Sequence, residues 1–199
     1  MRILLALLGA TAAWGGVVLD RIAVTVGRNV ITETEIEQEI RVTALLNGEE
    51  PNFSPDSRRA AAARMVDQAL IRSDMRLSQW PQPPAQDAFK LLDQIKRDRF
   101  GGDAGYRQAL TRYGITEADL MEHLRWQVAA LRYTESRFRP GIPVPGAAAP
   151  LPRTDDTGAA PAVPATQAKQ NGNVDDQMDA WLKDARSRVR VVYHEDAFR

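Results

Sequence analysis

Few side chains in this chain are of a type that does chemistry. Its 199 residues include no cysteine, which removes disulfides, zinc–thiolate sites and thiol catalysis together. The two histidines, His123 and His194, are far apart in sequence, so a histidine metal site or a Ser/His/Asp relay has little to be built from. His123 follows Glu122 on a mostly polar helix face and His194 sits in a polar tail. Both are expected in solvent rather than as ligands.

Acidic residues cluster at Glu33/Glu35/Glu37 and at Asp175/Asp176. Paired carboxylates can perform acid–base work, but these fall at helix starts, where negative charge favours the dipole and the cap. No polar partner set accompanies them, so capping is their expected role. Arg186, Arg188 and Arg190 alternate along the C-terminal run; a charge-guarded edge strand is expected there rather than a basic strip for lipid or substrate. Lys plus Arg total 26 and Asp plus Glu total 26, a balance that argues against nucleic acid as the main partner. No glycine-rich phosphate loop is present, and no metal or cofactor is expected.

The remaining chemistry is apolar. Trp80, Phe89, Phe100, Tyr106, Tyr113 and Trp126, with Met65, Met75 and Met121, could line a groove for unfolded, aromatic-rich polypeptide. Most of them are expected in the core. Trp126 falls off the Leu120/Leu124/Val128 stripe and Trp80 ends its helix beside a proline turn, so these two are the best placed for a groove. The candidate peptide-binding set is Trp80, Trp126, Met65, Met121 and Phe100.

These residues must be positioned by the elements around them. "MRILLALLGATAAWGG" opens the chain with one arginine, an apolar run and small residues. That is the pattern of a secretory signal peptide, expected over residues 1–16. The run is too short to span ~30 Å of hydrocarbon, which favours a signal peptide over an anchor, and no second apolar run follows, so no integral membrane segment is expected after cleavage. "IAVTVGRNVIT" then reads as strand, turn, strand. Thr32 with Glu35 has capping-box spacing and starts a helix with Ile36, Ile40 and Ala44 or Leu45 on one face. Ser54-Pro55 opens a second helix, with an apolar stripe of Ala62, Met65, Val66, Ala69, Leu70, Ser73 and Leu77, ended by prolines 81, 83 and 84. A third helix follows, with Phe89, Leu92, Ile95 and Phe100 inward, and then a short one. Thr116 with Asp119 caps a long helix whose stripe is Leu120, Leu124, Val128 and Leu131.

From Pro140 to Gly172 the pattern stops. This stretch holds seven of the chain's 12 prolines, with eight alanines and four glycines, and reads as a semi-stiff tether with a reach of about 30 Å. After it, Asn173 is expected to cap a helix with Met178, Trp181, Leu182 and Ala185 inward. Arg188–Tyr193 reads as a strand. A lone helix and strand cannot bury their own apolar faces, so the returning segment is expected to complete the first domain. Its strand would join the N-terminal hairpin, with Met178, Trp181 and Leu182 as structural anchors.

"VVLDRIAVTVGRNVITETEIEQEI" resembles the start of the SurA-like periplasmic chaperones, through Asp20, Ile22, Val26, Val30, Ile31, Thr32 and Glu35. "MVDQALIRSDMRL" resembles that family's second helix through Met65, Leu70 and Leu77. "YRQALTRYGITEADLMEHLRWQVAALRY" resembles its later helical module through Leu110, Gly114, Leu120, Leu124, Arg125 and Val128. "MDAWLKDARSRVRVVY" resembles its C-terminal segment through Trp181, Leu182 and Arg186. The resemblance covers about residues 18–138 and 173–193.

The resemblance implies a mainly α fold of the SurA N-terminal type, with a small β-sheet formed by the N-terminal strands and the C-terminal strand. One module is expected over 17–139 plus 173–194, with 140–172 as a flexible linker. In the family, parvulin prolyl-isomerase domains occupy the place of that linker. Here it is too short to hold one, so no isomerase activity is expected. The implied function is that of a periplasmic, ATP-independent, chaperone-like protein whose clients are unfolded or outer-membrane protein segments. The alternative is a non-catalytic envelope adaptor that binds one folded partner.

Overall fold

The computed structural model describes residues 20–138 and 165–199, with side chains from 174 onward in the second stretch. The expected signal segment, residues 17–19 and 139 of the expected module, and residues 140–164 of the expected linker lie outside the described residues. Among those described, the order is β1 (Ile22–Val26), β2 (Asn29–Thr32), α1 (Glu33–Asn47), α2 (Pro55–Leu77), α3 (Ala85–Phe100), α4 (Asp103–Tyr113), α5 (Glu117–Phe138), α6 (Ala165–Arg188), β3 (Val191–Tyr193) and a 3-10 turn, Glu195–Phe198. The protein is mainly helical, with one small antiparallel sheet of order β2-β1-β3.

The hairpin turns on Gly27, whose φ of 59° is one a glycine adopts without strain. A Cβ there would meet Val189 Cγ1 at 3.3 Å. On its other edge β1 pairs with β3, Val24 opposite Tyr193 and Val26 opposite Val191. The β3 strand is shorter than expected. Helix α6 runs on to Arg188 and takes up the residues whose alternation suggested an earlier start. It also begins at Ala165, ahead of the start expected at Asn173.

The caps form as their spacing predicts. Thr32 accepts from the Glu35 amide while the Glu35 side chain accepts from the Thr32 amide. Asp20 Oδ1 adds a second acceptor at this helix start, taking the Thr34 amide at 3.2 Å and its hydroxyl at 3.0 Å. Thr116 and Asp119 make the same reciprocal pair ahead of α5.

Helix α1 is the wall between two cores. Ile36 and Ile40 face the sheet and α2, joining Val24, Val26, Val66 and Leu70. Val42 and Leu45 face Leu92, Tyr106, Leu120 and Leu124 of α3 to α5. Arg58 of α2 ties these layers, donating to Glu33 Oε1 at 2.7 Å, Glu37 Oε1 at 2.8 Å and the Phe53 carbonyl at 3.1 Å. A third cluster lies between α2, α5 and α6, with Ile71, Met75, Ala129 and Tyr133 buried and Met178, Trp181 and Leu182 packed against it. Trp181 also touches the sheet core, so α6 spans two clusters with half-buried side chains.

Three apolar stripes depart from their expected faces. Leu131 is 60% exposed, because α3 ends as a partner where Arg132 reaches Asp87. Beyond that point α5 turns Ala129, Tyr133 and Phe138 toward α2 and α6 instead. Leu77 is 82% exposed, since the end of α2 faces that same cluster through Ile71 and Met75. Phe89 is exposed with the Arg125 guanidinium over its ring, and Ala88 takes the inward place.

The C-terminal "polar tail" needs the largest correction. Phe198 is 2% exposed and Ala197 1%; both belong to the sheet core. The Phe198 ring lies 6.1 Å from that of Tyr193 and is covered by Arg59, which pairs with Glu195. Phe198→Ala is expected to cost about 3–5 kcal/mol, and Leu77→Ala less than about 0.5 kcal/mol. Urea unfolding of the two variants checks this; equal losses would contradict the assigned faces.

Candidate functional site

The C-terminal turn of α2 sets the site. Gln79 sits at φ 53°, the one left-handed non-glycine residue among the described residues, a conformation that costs about 1–2 kcal/mol. It allows the Trp80 amide to reach back to the Met75 carbonyl at 2.8 Å, the closing bond of a Schellman turn. Ser78 Oγ donates to the Asp74 carbonyl at 2.8 Å. The turn folds Trp80 back over α5, edge-on to Tyr133 at 5.4 Å. The Tyr133 hydroxyl donates to Asp74, and burial first, then that carboxylate, pushes its pKa up to about 12.

Beside this turn lies an open cleft of about 470 Å³, within the range of sites that hold small ligands or a side chain or two of a peptide. Met75 and Ala129, both buried, lie at its base; Trp80 and Trp126 line it; Arg72, Arg76 and Arg125 share it with a single carboxylate, Glu122. The Arg72 guanidinium stands 4.5 Å from the centre of the Trp126 ring, a cation–π contact that restrains the indole.

Two smaller depressions adjoin it. One, of about 230 Å³, shares Arg72, Glu122 and Trp126 with the cleft and continues toward Met65, Glu39 and His123. The other, of about 300 Å³, shares Gln82 and Arg125 and continues past Pro83 and Pro84 to Val128.

The candidate residues separate accordingly. Trp80 and Trp126 line the cleft, and Met65 lines the first depression while packing on the sheet core. Met121 is buried in the core of α3 to α5, so it offers no surface. Phe100 packs against that core, 6.0 Å from the Tyr106 ring, and lines none of these depressions. Arginines 72, 76 and 125 are cleft residues that no sequence motif marks; the local signal is that Arg72 and Arg76 are one helical turn apart and Arg125 precedes Trp126.

His123 is not in solvent. Its Nδ1 is 3.2 Å from Glu39 Oε2, with side chains only 12% and 13% exposed. Gln68 donates to Glu39 Oε1 at 3.3 Å, and Gln127 is 3.0 Å from His123 Nε2. His194 is exposed as expected, yet its Nε2 meets Thr25 Oγ1 at 3.1 Å. Arg186 forms a two-pronged pair with Asp67 of α2, at 2.8 and 2.7 Å, so it fastens α6 to α2 and is not part of a basic strip. Among the described residues no group of three or more His, Asp or Glu could hold a metal ion, and no helix is long and apolar enough to cross a membrane.

Burial alone raises the Glu39 pKa, but the hydrogen bond and charge of His123, the Gln68 amide and the charge of Arg64 outweigh it, and the carboxyl lies below its ordinary 4.5. A carboxyl whose pKa is depressed on folding stabilises the folded state above its unfolded pKa, and loses that contribution as pH falls through the folded value. Glu39→Gln is therefore expected to cost on the order of 1 kcal/mol at neutral pH and to flatten the loss of stability below about pH 4.5. Urea unfolding from neutral to acid pH checks this; parallel pH profiles for the two proteins would contradict it.

The chain matches no protein-family model, and no curated protein matches it significantly.

Proposed function

We propose that this protein is a periplasmic, ATP-independent, chaperone-like binder of unfolded or outer-membrane protein segments, without prolyl-isomerase activity. The observation that carries this reading is the cleft at the end of α2. It is open, it has an apolar base of Met75 and Ala129, and two tryptophans line it. Half-buried aromatic side chains with one face free offer large apolar contact at low entropic cost. Such a site takes one or two side chains of an extended segment, weakly and reversibly, which suits a holder that must also release.

Two features of the sequence support the reading. The motifs resemble the SurA-like pattern in order and spacing along most of the chain, and the first residues have the form of an export signal. The proposed mechanism needs no nucleotide and no covalent step: clients partition onto the cleft while their apolar side chains are exposed, and leave as they fold.

The intact protein, at several-fold molar excess, is expected to suppress aggregation of an unfolded outer-membrane protein measured by light scattering. Trp126→Ala is expected to weaken this several-fold, while Met121→Leu, a buried volume-conserving change, leaves it unaltered. No suppression by the intact protein would remove the reading. Stoichiometric capture of one folded partner, with no affinity for unfolded chains, would favour an adaptor instead.

A further inference from the structure

We infer that the cleft selects acidic, aromatic polypeptide: a segment that carries Asp or Glu within two positions of an aromatic residue. This rests on the binding role proposed above and narrows its substrate class.

The charge around the cleft is one-sided. Arg72, Arg76 and Arg125 line it against Glu122 alone. None of the three has a carboxylate partner among the described residues; Arg72 and Arg125 lie over the rings of Trp126 and Phe89. Elsewhere the bridging arginines are matched: Arg58 to Glu33 and Glu37, Arg132 to Asp87, Arg186 to Asp67. Other arginines, such as Arg28 and Arg107, also lack an ion pair among the described residues, but around the cleft three such arginines stand together against one glutamate.

The neighbouring depression does not reverse this bias. It contains more carboxylates, but they are engaged: Glu35 at the Thr32 cap, Asp119 at the Thr116 cap, and Glu39 with His123 and Gln68. A basic side chain would find only Glu122, next to three arginines.

The dimensions suit a short extended stretch. From Asp119 to Val128 the three depressions follow α5 for about 13 Å at ~1.5 Å per residue, the length of about four residues of extended chain. An aromatic ring of the occupant rests on Met75 and Ala129 between the two tryptophans, and carboxylates beside it reach Arg76 or Arg125. Single-stranded nucleic acid also combines rings with negative charge. It needs a longer basic track along its phosphates, and this chain balances 26 basic against 26 acidic residues.

The test is fluorescence anisotropy of the full-length protein with labelled peptides of about ten residues. One carries Trp or Tyr flanked by Glu, one the same aromatics flanked by Lys, one flanked by Ser, and one Glu with no aromatic; oligothymidylate is a fifth ligand. The Glu-flanked aromatic peptide is expected to bind about tenfold tighter than the Lys-flanked one. The gap should narrow between about 50 and 500 mM salt. Arg76→Glu and Arg125→Glu, both at exposed positions, should abolish the preference while circular dichroism stays unchanged. Equal binding of all aromatic peptides overturns the selectivity and leaves the client-binding role standing. Tighter binding of the Lys-flanked peptide or of oligothymidylate also overturns it. Binding of no peptide at all, with an unaltered fold, overturns both.

Discussion

Strand β1 is hydrogen-bonded along both edges, and one edge is filled from the far end of the chain. The His194 amide donates to the Ala23 carbonyl at 2.8 Å and the Gly27 amide to the Arg190 carbonyl at 2.9 Å. Thr25 and His194, whose side chains meet, are 169 positions apart. A two-stranded hairpin is marginal in water and a third strand makes it independently stable. The same returning segment delivers Phe198 to the sheet core and lays α6 across α2 and α5. Closing that long loop is entropically unfavourable, and the burial of Phe198, Ala197 and the inner faces of Trp181, Ala185 and Val189 offsets it.

The cleft depends on that closure through the cluster beneath it. Met75 and Ala129 form its base, and the same two residues pack with Ile71 and Tyr133 against Met178, Trp181 and Leu182 of α6. The side chains that face solvent at the cleft are thus held from behind by the C-terminal helix. The left-handed Gln79 fits this picture: strain is tolerated at the turn that aims Trp80. The Glu39–His123 pair does the corresponding work on the other flank, joining α1 to α5 beside Trp126.

Much of the architecture was legible because local signals agreed. The capping pairs Thr32/Glu35 and Thr116/Asp119, the Ser54-Pro55 start and the Gly27 turn each specify a boundary through chemistry within a few residues. The α6 stripe of Met178, Trp181, Leu182 and Ala185 repeats at helical spacing and lies inward. The failures come from elements whose partner changes along their length. Leu131 and Leu77 continue stripes that are apolar in sequence, but by those turns α5 and α2 face a different neighbour. Phe198 was missed because a single aromatic among His194, Glu195 and Asp196 has no periodicity to report it. At the site, Trp80 and Trp126 were legible from a proline turn and an off-stripe position. The arginines were not, because being unmatched depends on which carboxylates lie across the fold. His123 was misplaced for the same reason, since its partner Glu39 stands on another helix 84 residues earlier.

The shared interior is tested most directly by comparing the urea unfolding of the intact chain with that of a truncation ending at Phe138, followed by both tryptophan fluorescence and circular dichroism. The truncated chain is expected to lose cooperative unfolding or most of its stability, because β1 keeps an open edge and two clusters lose their lining. A truncation that unfolds as cooperatively as the intact chain, at the same denaturant concentration, would contradict it.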